Sequence, residues 1–176
     1  MTLIDTFQDL VARVPELVQP LIVALAGAVP FVEGEGAAAI GVIGGIHPVI
    51  AALAGAIGNF VCVAILVLLS AGTRRAIVER RRALVTAGGG SVAAPEPASP
   101  RPASPRKEKF QRVLVRYGVP GVSLLGPLLL PTQFTATMLA AAGVTRARIL
   151  FWQGLAIALW TTLITLVITG VISVAQ

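Results

Sequence analysis

The chain has 176 residues, 56% of them hydrophobic and 12% charged, with a formal net charge of +6. A soluble domain carries about 25% charged residues, so half that share and a mean hydropathy of +0.87 make lipid the main solvent. Cys62 stands alone, which excludes an internal disulfide and a cysteine metal site. The excess of positive charge argues for membrane topology and against nucleic-acid binding, because most Lys and Arg fall in one stretch between apolar segments.

Residues 2–14 place Leu3, Phe7, Leu10 and Val14 on one helical face and Asp5, Gln8, Asp9 and Arg13 on the other. This predicts an amphipathic interfacial helix over residues 1–15, with Thr2 as its N-cap and Pro15 as its end. Packing against the rest of the chain is the equal alternative. Residues 21–28 end in an A-x-A-like triplet, but the acidic residues before them have the wrong sign for a signal peptide.

The first membrane half covers residues 16–72. Its apolar segment 17–46 is cut by Pro30 and by Glu33-Gly34-Glu35-Gly36. Residues 48–71 are apolar throughout and reach roughly 36 Å as a helix, enough to cross a core of about 30 Å. Residues 73–109 then form a basic linker. It begins as a helical continuation and becomes Gly-, Pro- and Ser-rich, with PASPR twice in tandem at 97–101 and 102–106. Such a composition predicts disorder. The second membrane half covers residues 110–176, with an interrupted segment at 119–142, cut around Pro127 and Pro131, and a second clean span at 149–172.

The two halves thus share a plan: an apolar stretch, a central proline, polar residues, an Ala-rich stretch, a turn and a span. Interrupted hydrophobic segments in corresponding positions of two halves are the layout of secondary transporters. Eleven of the fourteen Lys and Arg residues lie between Arg74 and Arg116, which assigns residues 73–116 to the cytoplasm. Two topologies follow. Either the interrupted segments cross completely, giving four spans, or each is a re-entrant hairpin. Only the second keeps Arg146 and Arg148 inside, and it makes the halves inverted relatives. The expected fold is therefore an all-α integral membrane protein of two inverted-repeat halves, each a Pro-interrupted re-entrant helical hairpin followed by a transmembrane helix.

Glu33 and Glu35 are the acids of the membrane-embedded segments. An ionisable group at membrane depth costs at least about 2.5 kcal/mol and marks a pathway or a proton site by default. Burial and a neighbouring like charge both favour a carboxyl that keeps its proton, as proton coupling requires. Hydrated acids in an interfacial loop are the plainer alternative. Gly34 and Gly36 beside Pro30 free the backbone from helical geometry, and Pro131 does so in the second half. Thr132 and Gln133 supply neutral donors and acceptors there, whereas Thr135 and Thr137 suit backbone satisfaction. Gly41 and Gly45 make a G-x-x-x-G that Ala51, Gly55, Gly58 and Asn59 continue as a packing stripe. His47 reads as a solvated turn residue. Trp152 and Trp160 suit interface anchoring and packing. No catalytic triad, phosphate loop or metal cluster is legible, so an enzyme and a cofactor are not expected.

At Pro30-Phe31-Val32-Glu33, at Gly58-Asn59-Phe60 and at YGVPGVSLLGPLLLPTQFTATMLAAAGV (117–144), the chain resembles the small multidrug export (small multidrug efflux) family. That family is distantly similar to the DedA/VTT (SNARE-associated) membrane proteins. The resemblance implies two facing re-entrant hairpins, multi-pass insertion in a bacterial inner membrane and proton-coupled transport of drug-like molecules or lipid carriers. Where similar proteins carry an arginine two residues after the motif glutamate, this chain has Glu35. The expected partners are the lipid bilayer, a small amphipathic substrate or lipid carrier, protons and a second copy of the chain as a homodimer. The rival functions are a gradient-independent lipid scramblase or membrane-homeostasis factor, and a scaffold acting through its basic linker.

Overall fold

The computed structural model describes residues 3–87 and 105–175, with side chains described for 3–70, 110 and 112–175. Every regular element among them is helical: α1 (Leu3–Arg13), α2 (Gln19–Gly27), α3 (Glu33–Ile43), α4 (Pro48–Ala87), α5 (Pro105–Leu125), a 3₁₀ turn (Gly126–Leu128), α6 (Thr132–Ala141) and α7 (Arg146–Ala175). Thr2 and the PASPR repeats up to residue 104 lie outside the described residues. Helix α4 continues past the apolar span, as the basic helical extension predicts. Helix α5 starts at Pro105, inside the segment expected to be disordered. A proline is at home in the first turn of a helix, where its missing N–H has no acceptor to satisfy. The helix breaks at Gly118 (φ 66°), ahead of Pro120.

Two helices are long and apolar enough to cross a membrane, Pro48–Ser70 and Arg146–Ala175. Their packing is inside-out relative to a soluble core. On α4 the buried positions Ala51, Gly55, Asn59, Val63 and Val67 recur every fourth residue, while Leu53, Ile57, Val61 and Ile65 face outward. On α7, Gln153, Thr161 and Thr165 are buried, and Phe151, Leu155, Leu159 and Leu163 are exposed. Small and polar side chains inside with large apolar ones outside match a helix bundle solvated by hydrocarbon. Only 28% and 22% of the two apolar windows are buried, so neither helix is the covered core of a soluble domain.

The interrupted segments are pairs of short helices. At 1.5 Å per residue, α2, α3 and α6 are each about 14–17 Å long, half of a hydrocarbon core. The chain doubles back between α2 and α3, since a Cβ on Gly41 would stand 3.1 Å from Val23 Cγ2. In the second half Val119 and Val122 of α5 share one apolar cluster with Ala136 and Leu139 of α6. The long helices run antiparallel. Ile149 clusters with Val63 and Val67, Gly154 packs on Phe60, and Thr161 faces Gly34 beside Ala56. Contacts between halves are reciprocal: α3 packs on α7, α6 packs on α4, and α4 packs on α7. Helix α1 is anchored by Val11, fully buried in the cluster that holds Val23, Ala26, Ala37 and Ile40, so one face of it packs on the first half.

Candidate functional site

Glu33 is the first residue of α3 and Thr132 the first of α6. Both lie where an interrupted segment resumes as helix, and the two starts meet. The Thr132 N–H, unsatisfied within its own helix, donates to Glu33 Oε1, and the Thr132 hydroxyl lies 2.6 Å from the same oxygen. The carboxyl of one half therefore caps the helix of the other, as an acid placed at the positive end of a helix dipole does. Asn59, midway along the Pro48–Ser70 span, completes the junction. Its Oδ1 accepts from Gln133 Nε2 at 3.2 Å and sits 3.0 Å from Thr132 Oγ1. Glu33, Asn59, Thr132 and Gln133 are all buried.

The Thr132 hydroxyl holds one proton but faces three acceptors: Glu33 Oε1, Asn59 Oδ1 and, at 3.4 Å, Gln133 Oε1. It can satisfy one at a time. A carboxylate at Glu33 draws that proton, whereas a carboxyl carrying its own proton leaves the hydroxyl free for Asn59. The junction thus has two hydrogen-bonding arrangements that differ by one proton.

The backbone is unusual at the first tip. Phe31 (φ 71°) and Glu33 (φ 55°) occupy the left-handed region, which costs non-glycine residues about 1–3 kcal/mol and concentrates at functional sites. Phe31 is exposed, and its ring packs on Phe134 at 6.3 Å between centroids. Each tip thus carries a phenylalanine two residues from its half of the Glu33–Thr132 contact.

Of the residues singled out by sequence, the structure brings Glu33, Thr132 and Gln133 together. Glu35 is not part of the junction; it is half-buried, and its carboxyl faces its own backbone N–H. Pro30 sits in the turn and Pro131 is the N-cap of α6. Gly34 and Gly36 are not the break. They lie within α3, and the left-handed angles belong to Phe31 and Glu33. Gly34 is instead a close-approach residue, since a Cβ there would come within 2.4 Å of Thr161 Oγ1. Thr135 and Thr137 donate to backbone carbonyls. His47 Nδ1 accepts from the Val49 N–H at the start of α4, a helix-start role.

Asn59, Gln153 and Thr161 were legible as polar residues inside apolar spans, but their positions on the buried faces needed the packing. Trp160 also does more than pack: its indole N–H donates to the Leu124 carbonyl at 2.8 Å, near the second break. Trp160→Phe should cost about 1–3 kcal/mol by stranding that carbonyl, measured as a loss of unfolding free energy in detergent. Between α2 and α4 runs an apolar groove of about 360 Å³ lined by Ala24, Ala28, Ile57, Gly58, Val61 and Cys62. Gly58 and Cys62 of that lining flank Asn59 along α4, so the groove runs beside the polar junction.

No family model matches the chain, nor does any curated protein or solved structure.

Proposed function

We propose that this chain is a small membrane transporter that exports small amphipathic molecules, drug-like or lipid-carrier in kind, in exchange for protons. In this reading α2–α3 and the end of α5 with α6 are re-entrant hairpins entering the bilayer from opposite faces. The observation that carries it is the tip-to-tip contact in which Glu33 of one interrupted segment holds the N-terminus of the other. It lies beside Asn59, midway along a span, the depth at which transporters of this layout bind their ions and substrates.

Three features support the hairpin topology. The short helices are half a membrane long, α2 and α3 double back, and the two long helices are antiparallel. Four complete crossings would make the spans parallel when α4 enters and the linker stays on one side. In this topology the C-terminal end of α4 shares one face with Arg146 and Arg148, in keeping with a cytoplasmic linker. A reporter fused to the C-terminus is expected outside the cell, and an inside signal overturns the hairpins.

Chemically, a proton on Glu33 replaces an acceptor with a donor facing the Thr132 hydroxyl. The clasp loosens and the tips can part, so protonation and opening are linked. The groove beside Cys62 suits the apolar part of an amphipathic cargo. The test is flux in proteoliposomes with and without a pH gradient. Wild-type flux should follow the gradient, and Glu33→Gln should remove that dependence, while Glu35→Gln should retain it. Gradient-independent flux in wild type sinks the proton role. The occupancy of Glu33 by two Thr132 donors favours the second reading, a scramblase whose acid is a structural clasp. That reading predicts lipid movement without a gradient.

A further inference from the structure

We propose that Asn59, Gln153 and Thr161 hold internal water on the inner face of α7, hydrating the junction where Glu33 meets Thr132. Four polar atoms carry this inference: Asn59 Nδ2, Thr161 Oγ1 and both amide atoms of Gln153. All are buried, and none has a hydrogen-bond partner among the described residues. Their parent residues are at most 1% exposed, so bulk solvent does not reach them in this conformation. Buried polar groups in folded proteins are paired with protein or with ordered water, and these have no protein to pair with.

Thr161 contrasts with two other threonines of the same helix. Thr165 Oγ1 donates to the Thr161 carbonyl at 2.6 Å, and Thr169 Oγ1 donates to the Thr165 carbonyl at 2.8 Å. This back-bonding four residues down the helix is the ordinary way a membrane helix satisfies a threonine. Thr161 forgoes it and turns its hydroxyl toward α3. Its Oγ1 lies so close to Gly34 that a Cβ there would come within 2.4 Å, and the same Cβ would stand 3.4 Å from Ala56 Cα. Gly34 follows Glu33 in the chain, and Ala56 lies one turn before Asn59. Thr161 and Asn59 therefore face the Glu33 junction from α7 and α4.

Gln153 extends the same face. Gln153, Ile157, Thr161 and Thr165 recur every fourth residue and are all buried, a strip about 18 Å long at 1.5 Å per residue. A fully buried glutamine with neither amide end paired is the costliest residue in that strip unless water bridges it. Hydration of the strip rests on these atoms alone. Its use as a proton route to Glu33 rests on the transport reading above.

Radiolytic hydroxyl-radical labelling of the full chain in proteoliposomes, in ¹⁸O water, reads bound water whether or not cargo moves. Ile157, 2% exposed and flanked in the strip by Gln153 and Thr161, should take up label although it also belongs to the second half's apolar cluster, while Ile40, 3% exposed in the separate cluster of the first half, sets the background. In Thr161→Val with Gln153→Leu the Ile157 label should fall to the Ile40 level. Thr161→Ser, which keeps the hydroxyl, should retain it and controls for misfolding. An unlabelled Ile157 in wild type, or a label unchanged in the double variant, overturns the proposal. Failed proton coupling with an intact Ile157 label would count against the transport reading and leave the water site standing.

Discussion

Gly58→Ala is expected to part the first short helix from the span it leans on and to be among the most damaging single-methyl changes in the chain. The added Cβ would stand 1.8 Å from the Ala24 carbonyl oxygen and 2.6 Å from its carbon. Both are backbone atoms, so no rotamer change relieves the clash; α2 itself must move. Overpacking of this kind costs about 1–3 kcal/mol when side chains can yield, and a backbone obstacle places Gly58→Ala at or above the top of that range. The same tightness recurs where a Cβ on Gly27 would meet Gly55 O at 2.4 Å and one on Gly55 would meet Gly34 O at 2.6 Å. Without water to drive apolar association, helices in lipid gain from such close backbone approach. The control is Gly170→Ala in α7, where a Cβ meets nothing within 4 Å. It should be neutral or stabilise by up to about 1 kcal/mol through helix propensity. Unfolding of both variants in detergent, monitored by helix signal, checks the pair. Equal effects would show that the α2–α4 contact is looser than described.

The second large effect is expected at the Glu33–Thr132 clasp, read by a double-mutant cycle. Glu33→Gln keeps length and the backbone strain at φ 55° but trades a charge-assisted acceptor for a neutral one and adds a buried NH₂. Hydrogen bonds to charged groups contribute about 1.5–3 kcal/mol against about 1 for neutral ones. Thr132→Val removes the hydroxyl and leaves the backbone N–H donor in place. Because each change acts through the same contact, the two losses should not add. The coupling should fall within the 0.5–3 kcal/mol seen for residues in direct contact. Additive losses would mean that the tips are held by the helices around them. Glu35→Gln combined with Thr132→Val should show weaker coupling, since Glu35 reaches the junction only through its charge interaction with Glu33.

The acids show how the sequence can point to the right segment and still leave the chemistry unresolved. Glu33 ends the Pro30-Phe31-Val32-Glu33 stretch, but depth, charge and a shared glycine neighbour do not say which of the two acids meets the other half. The fold does: two helical steps of about 100° each separate the acids, so Glu33 turns toward α6 while Glu35 points elsewhere. The glycines invert in the same way. Beside a proline they read as hinges, yet α3 absorbs both, and Gly34 works through its missing side chain against Thr161. By spacing, Asn59 groups with the small residues of its span. It does occupy the stripe, and its amide reaches Thr132 and Gln133 from there.

The amino-acid sequence by itself determined the helical class, the two apolar spans, the interruptions at Pro30 and Pro131 and the amphipathic start. These follow from hydropathy, periodicity and proline chemistry, which act within a few residues. The tertiary structure alone decided that the start of α3 meets the start of α6, with Glu33 on Thr132 across 99 positions. It also decided that Thr161 faces α3 with no hydrogen-bond partner for its hydroxyl among the described residues. Such pairings depend on how closely glycine-lined backbones approach and on which helix start needs a cap, and no local pattern encodes either.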